Sequence, residues 1–330
     1  MTPFRLLTAH SPEDAVALLA SNQGAALLAG GTSLLDLMKL GVTNPRVVID
    51  ISRVGGLDSI ERAAGGWRIG ALARNADVAN HPDIVARLPM LAQAIRLGAS
   101  GQLRNMATMG GNLLQRTRCS YFRDTHSACN KRAPGSGCDA INGVNRGHAI
   151  LGTSDRCIAT HPGDMAVALA ALAATVHLRG PEHERVVPFT DFNLEPASTP
   201  ERETAMLPGE VIVGVEVPAL SFGNRSMYRK VRDRASYEFA LVSCAVALDI
   251  ADDGSIRESR IALGGVATKP WRAWDAEAAL RGGRPNLAAF RQAAEAAMAA
   301  AIARKHNGFK IRLARRVLVQ TLADVAEMPA

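Results

Sequence analysis

The residues best equipped for chemistry are cysteines. Four of the five in the chain, Cys119, Cys129, Cys138 and Cys157, fall within 39 residues, whereas Cys244 stands alone in the apolar run Ala240–Ile250. The lone thiol reads as core packing, since free cysteine behaves as a small hydrophobe. The other four lie where apolar anchorage is nearly absent: from Arg118 to Ala149 only Phe122, Ile141 and Val144 belong to the Leu/Ile/Val/Phe set. Something other than apolar burial must hold that segment, and three staples use thiols: two disulfides, a structural zinc or an iron–sulfur cluster. Ser11-Pro12-Glu13-Asp14 opens a helix rather than an export signal, which disfavours disulfides without excluding them, because a protein can leave the cell with a partner. Thiolate zinc sites usually carry close Cys-x2-4-Cys pairs. The gaps here are nine, eight and eighteen residues. A [4Fe–4S] cube also takes four thiolates, and its net charge of about −2 suits a basic segment. Residues 113–160 carry seven basic and three acidic side chains. The spacing differs from the ferredoxin run as well, so it ranks a cluster ahead of zinc without deciding between them.

Glycines form the second signal. Gly30-Gly31-Thr32-Ser33 follows the short apolar strand Ala25–Ala29 and precedes the helical stretch Leu34–Leu40, after which comes the strand Val47–Ile51. Two glycines let a backbone approach a phosphate, with helix-start amides and hydroxyls as donors. The same pattern also serves as a plain turn and cap. A second cluster, Thr108-Met109-Gly110-Gly111-Asn112, leads directly into the cysteine segment, and His161-Pro162-Gly163-Asp164 follows it, opening a helix expected over Met165–Thr175. Neither a Gly-Lys-Ser/Thr phosphate loop nor Gly-x-Gly-x-x-Gly occurs, which disfavours the usual nucleotide folds.

These elements sit in a chain of 330 residues with net charge +7 and 48% hydrophobic content, enough for two domains with their own cores. Aromatic residues make up only 4%, too few for the stacked platforms of single-strand binders, so nucleic acid is not expected as a partner. The mostly apolar stretch 165–176 has twelve residues, short of the roughly 18 a membrane span needs.

The motifs together resemble a known family. Leu27-Leu28-Ala29-Gly30-Gly31-Thr32-Ser33-Leu34, Gln102-Leu103-Arg104-Asn105, Thr108-Met109-Gly110-Gly111-Asn112 and Pro162-Gly163-Asp164 resemble the FAD-binding subunit of the xanthine dehydrogenase family of molybdenum hydroxylases. Tyr228-Arg229-Lys230-Val231-Arg232-Asp233-Arg234-Ala235-Ser236-Tyr237-Glu238-Phe239 and Leu263-Gly264-Gly265-Val266 are similar to the C-terminal domain of the carbon monoxide dehydrogenase flavoprotein type. Arg118-Cys119, Cys129-Asn130-Lys131-Arg132, Pro134-Gly135-Ser136-Gly137-Cys138 and Cys157-Ile158-Ala159-Thr160-His161-Pro162 resemble the insert of the FAD subunit of bacterial aldehyde oxidoreductases, where it holds a [4Fe–4S] cluster.

The resemblance implies an α/β (α+β) chain. Residues 1–220 would form a PCMH-type FAD-binding domain of two α/β lobes, with the iron–sulfur insert at about 113–160, and residues 221–330 a CO dehydrogenase flavoprotein-type α+β domain. It implies FAD held by Ala26, Leu27, Leu28, Ala29, Gly30, Gly31, Thr32, Ser33 and Leu34 around the pyrophosphate, by Thr108, Gly111 and Asn112 near the flavin, and by Asp164 on the ribityl or adenosine side. Ile212 would lie beside the isoalloxazine, and Lys230 would bring it a positive charge. Cys119, Cys129, Cys138 and Cys157 would be the metal ligands. Met109 and Gly163 depart from residues common at those places without removing a ligand type. The implied partners are a molybdopterin-binding large subunit, a [2Fe–2S] small subunit and an external electron acceptor, with the aldehyde bound elsewhere than on this chain. The compartment expected from the chain itself is the cytoplasm, with periplasmic co-export alongside a signal-bearing partner as the alternative. Two other functions are weighed against this one: a self-sufficient NAD(P)H-dependent flavin dehydrogenase, and a zinc-stapled scaffold that binds a partner or nucleic acid.

Overall fold

Alternating apolar strands and capped helices build the first layer. In the computed structural model, which describes residues 1–63 and 65–329, strands β1 (Arg5–Thr8), β2 (Ala26–Leu28) and β3 (Val47–Asp50) form a parallel sheet in the order β1-β3-β2. Parallel neighbours need crossovers, and the helices Pro12–Ser21 and Leu34–Lys39 supply them. The first is set by Ser11, whose hydroxyl accepts from the Asp14 amide (3.1 Å), with Pro12 in its first turn, a start the sequence encodes locally.

The second layer is an antiparallel sheet of β4 (Ile60–Ala63), β5 (Gly66–Gly70), β6 (Thr175–Arg179), β7 (Glu184–Pro188) and β8 (Val211–Pro218), in the order β4-β5-β8-β6-β7. Central β8 is apolar on both faces because the sheet is sandwiched: Val211 and Val213 join the core of the first lobe, while Ile212, Val215 and Val217 join the core under the helices Pro89–Leu97 and Asp164–Ala171. The helix expected to run to Thr175 stops at Ala171, Ala173 takes φ 53°, and the chain re-enters as β6 at Thr175. An apolar run buried all round has no period to mark where helix gives way to strand.

A third, antiparallel sheet holds β9 (Ser226–Val231), β10 (Val242–Ile250), β11 (Ile256–Gly264) and β12 (Trp271–Arg272), in the order β12-β11-β10-β9. The helices Leu287–Ala297 and Phe309–Ala326 pack over it around a core that includes fully buried Cys244, as expected for that thiol. The first of these helices ends at Ala297; Ala299 and Ala300 beyond it are exposed, so their helix propensity has no packing behind it. Among the described residues no helix is long and apolar enough to cross a membrane.

The cysteine segment is tied down by polar side chains. Arg132 donates to the carbonyls of Tyr121 and Phe122 (2.8 Å each) and to that of Ser127. Lys131 donates to the Pro200 carbonyl (2.8 Å), and Arg146 clamps Asp233 through two bonds of 2.7 and 2.9 Å. Much of the positive charge read as a counterpart to a cluster is therefore engaged with the chain itself.

Lys310 lies at 0% exposure beneath this segment, its Nζ donating to the carbonyls of Gly147 (2.9 Å) and Gly265 (2.7 Å). Burial, aided by repulsion from Arg146, lowers its pKa to about 7. In the unfolded chain a lysine titrates near 10.4, so between about pH 7 and 10 the unfolded state binds more protons, and stability rises with pH across that window. The penalty is absent above the unfolded pKa and complete below about 7. The wild-type unfolding free energy, measured against that of Lys310→Met in denaturant titrations at pH 7, 8 and 9, is expected to climb by up to ~1.4 kcal/mol per unit. A constant difference would contradict the burial argument.

Candidate functional site

Both glycine clusters reach the seam between the first two lobes. A Cβ at Gly30 would overlap the Met106 carbonyl oxygen, and Gly31 sits at φ +74°, so the turn after β2 can press against the loop before Thr108 only with glycine there. Thr108 caps the short helix Met109–Leu113 by accepting from the Gly111 amide at 3.2 Å. Ser33 offers no side-chain cap to the helix Leu34–Lys39.

Two cavities, of about 220 and 450 Å³, meet at Thr32, Ser33 and Gly111 and form one elongated cleft. Leu27, Ala29, Gly30, Gly31, Leu34, Thr108 and Ile212 line the smaller end. Asn112, Asp164 and Lys230 line the larger, whose rim carries Tyr237, Glu238 and Phe239. Ala26 and Leu28 line neither; they belong to β2, just before the turn.

The cleft suits a long ligand with a planar part and polar edges. Asn75, 4% exposed, lines the larger cavity, and among the described residues its Oδ1 has no partner; a buried acceptor without a donor is costly unless a ligand supplies one. A Cβ at Gly111 would meet only the Thr108 hydroxyl, leaving open backbone for a ring to lie against.

Asp164 and Lys230, to which the resemblance assigns separate tasks, are joined. Lys230 Nζ lies 2.8 Å from Asp164 Oδ2 and 3.0 Å from the Leu97 carbonyl, while the Tyr228 hydroxyl donates to Asp164 Oδ1 at 2.6 Å. Burial pushes the Asp164 carboxyl up, and Lys230 and Tyr228 pull it back. Lys230 thus enters the cleft as half of an ion pair rather than as a free cation.

Asp36, for which no local pattern signals a role, joins the cleft to the cysteine segment. It accepts from Arg118 Nη1 (2.9 Å) and Arg123 Nη1 (2.8 Å) at Oδ2, and from Arg123 Nη2 (3.0 Å) at Oδ1. The hydrogen bond from Arg123 is the main reason its carboxyl sits below the usual range. Next to it, Leu37 packs with Phe122 and Cys129. Partners 82 and 87 residues away leave no local signal. Because Asp36 lies on the helix that follows the Gly30–Ser33 turn, Asp36→Ala is expected to weaken binding of the FAD that the resemblance implies roughly tenfold, consistent with losing charge-assisted bonds at a partly exposed site. Asp36→Glu should retain most of the affinity. Fluorescence of flavin released on dilution measures it, and an unchanged affinity in Asp36→Ala would show that the segment and the cleft are independent.

The four insert cysteines converge. Cys129 and Cys138 face each other across an isolated antiparallel bridge. Burial raises the Cys119 thiol to about 12, with Cys129 and Cys157 close enough to add to the shift. Cys138 and Cys157 are likewise raised, chiefly by burial. Backbone amides of Tyr121 and Phe122 serve the Cys119 sulfur, those of Ala140 and Ile141 serve Cys138, and that of Ala159 serves Cys157 (3.4 Å). No disulfide links them. Among the described residues, no group of three or more His, Cys, Asp or Glu side chains is arranged to hold a metal ion.

Residues 2–220 match the family described as the FAD binding domain in molybdopterin dehydrogenase. The chain belongs to that family. Within it, residues 226–325 match the CO dehydrogenase flavoprotein C-terminal domain. This member of the FAD-binding family is 49% identical over 326 residues to the aldehyde oxidoreductase FAD-binding subunit PaoB of Escherichia coli (strain K12), covering 98% of each chain. It is 30% identical to the glyceraldehyde dehydrogenase medium chain of Sulfolobus acidocaldarius, covering 86% of this chain and 83% of that one. Among solved structures it is similar to carbon monoxide dehydrogenase from Hydrogenophaga pseudoflava, with a TM-score of 0.76 and 30% identity over 98% of this chain and 97% of that one.

Proposed function

We propose that this chain is the FAD-holding electron-transfer subunit of a molybdenum-containing aldehyde oxidoreductase. The 49% identity to an aldehyde oxidoreductase FAD-binding subunit along almost the whole of both chains carries the reading. FAD, when bound, supplies exchange between one-electron and two-electron traffic. For the chain's own residues, the reading assigns contact with the pyrophosphate to the turn Gly30–Ser33 and Leu34, and the wall of the flavin end to Thr108, Gly111 and Asn112. The Asp164–Lys230 pair, 8% and 1% exposed, would hold the polar edge of the ligand without leaving an unbalanced charge beside it. Electrons would arrive from a molybdopterin-binding large subunit through a [2Fe–2S] small subunit and leave to an external acceptor.

The reading extends to a [4Fe–4S] cluster on Cys119, Cys129, Cys138 and Cys157. Its support is the donor set: four converging thiols with backbone amides aimed at three of the sulfurs. Donor atoms for a single ion crowd around one point, whereas a cube takes one thiolate at each of four corners, so its ligands stand farther apart. Purified complex, denatured and assayed for released flavin, iron and acid-labile sulfide, tests both parts. One noncovalent FAD per chain is expected, with iron and sulfide beyond those of the small subunit. Absence of released FAD would overturn the first part, and absence of that extra iron and sulfide the second.

A further inference from the structure

We propose that His148 is a positioning residue for Cys119, its Nε2–H donating to the Cys119 sulfur and so raising the reduction potential of the cluster that the insert would hold. The inference rests on the cluster reading above. His148 Nε2 lies 3.1 Å from Cys119 Sγ. A ligating thiolate has no proton to give, so in the holo protein the hydrogen bond runs from ring to sulfur.

The rest of the ring is arranged for little else. His148 is 6% exposed, and among the described residues its Nδ1 has no partner. A buried imidazole with one idle nitrogen is unfavourable unless the other is well used. Tyr121 packs beside it, ring centroids 6.1 Å apart at 46°, and the Tyr121 hydroxyl is itself engaged by the Val144 amide at 2.7 Å. Of the four insert thiols, Cys119 alone receives a hydrogen bond from a side chain among the described residues.

Three fully buried polar residues hold the backbone that carries the ring. The His148 amide donates to the Asn145 carbonyl (3.0 Å), and the Asn145 side chain bonds the Ile141 carbonyl (3.2 Å) and the His306 amide (2.9 Å). Asn307 Nδ2 donates to the carbonyls of His148 (3.4 Å) and Ala149 (3.0 Å), and Lys310 Nζ to that of Gly147 (2.9 Å). The peptide units on both sides of His148 are thus pinned, two of the three clamps coming from the C-terminal domain. Burying a lysine with only carbonyls for partners makes sense where it fixes a backbone that must not move. An N–H bond to a ligating sulfur draws electron density from it and favours the more negative, reduced state, a known lever on cluster potentials.

The test is an anaerobic potentiometric titration of the intact complex, followed by electron paramagnetic resonance, for wild type, His148→Phe and His148→Gln. Phenylalanine keeps the ring and removes the donor, and glutamine keeps an N–H donor. With iron and acid-labile sulfide unchanged, His148→Phe is expected to shift the one-electron equilibrium about tenfold toward the oxidised form, ~59 mV more negative, while His148→Gln stays near wild type. A midpoint unmoved in His148→Phe, or moved equally in both variants, overturns the proposal. So does loss of iron in His148→Phe, because the residue would then be needed to hold the group rather than to set its potential. Absence of insert iron and sulfide from the wild-type complex is the separate failure of the cluster reading, and it is read before any variant is made.

Discussion

Serine at Cys119, Cys129, Cys138 or Cys157, one position at a time, is expected to abolish the iron of the proposed cluster while FAD content stays within about twofold of wild type. Metal bonds contribute folding energy where nothing else orders the ligands, and the scarcity of apolar residues over 118–149 suggests such dependence, with iron and FAD falling together. The polar clamps change that expectation. Arg118 and Arg123 on Asp36, Arg132 on three carbonyls and Lys131 on Pro200 tie the insert down without using a sulfur. Cys244→Ser should spare FAD and the proposed cluster and cost only packing stability, since that thiol is buried in the C-terminal core. Iron and flavin assays on the purified variants check this. If FAD falls as far as iron in all four insert variants, metal ligation is what orders the edge of the cleft and the clamps are secondary.

Gly30→Ala is expected to lower FAD affinity about a hundredfold. The added methyl would meet the Met106 carbonyl oxygen and the backbone around Ala107, and backbone cannot rotate away as a side-chain tip does. The turn after β2 and the loop before Thr108 must then separate, at a cost typical of overpacking, ~1–3 kcal/mol. These two loops stand on either side of the cleft, so the cost falls directly on the cofactor. Gly55→Ala is the control: nothing lies within 4 Å of a Cβ there. Flavin titration of apoprotein measures both, and equal affinity in Gly30→Ala and Gly55→Ala would show that the close approach is not needed for binding.

What could be read from the sequence depended on how local the cause was. The helix at Pro12 was legible because Ser11 and Pro12 set its start within four residues. The two glycine turns were legible because residue type itself limits what the backbone can do. The apolar stretch after Asp164 was less so: buried on all sides, it hid the switch from helix to β6 at Thr175. In the cleft, the family resemblance implied Asp164 and Lys230 but not their pairing across 66 positions. Asp36 looked like an ordinary acid in a first helical turn, and only folding brings Arg118 and Arg123 to it. The basic character of the insert was plain, but its use was not, because an arginine that binds carbonyls and one that faces solvent are written alike.

Whether electrons from an aldehyde reach the flavin is measured by anaerobic addition of an aldehyde to the intact complex, with flavin absorbance followed in time. The aldehyde is expected to bleach the flavin, an external acceptor to restore it, and NADH alone to leave the flavin of the isolated chain oxidised. A flavin that NADH reduces rapidly in the isolated chain, and that the aldehyde fails to reduce in the complex, would contradict this expectation.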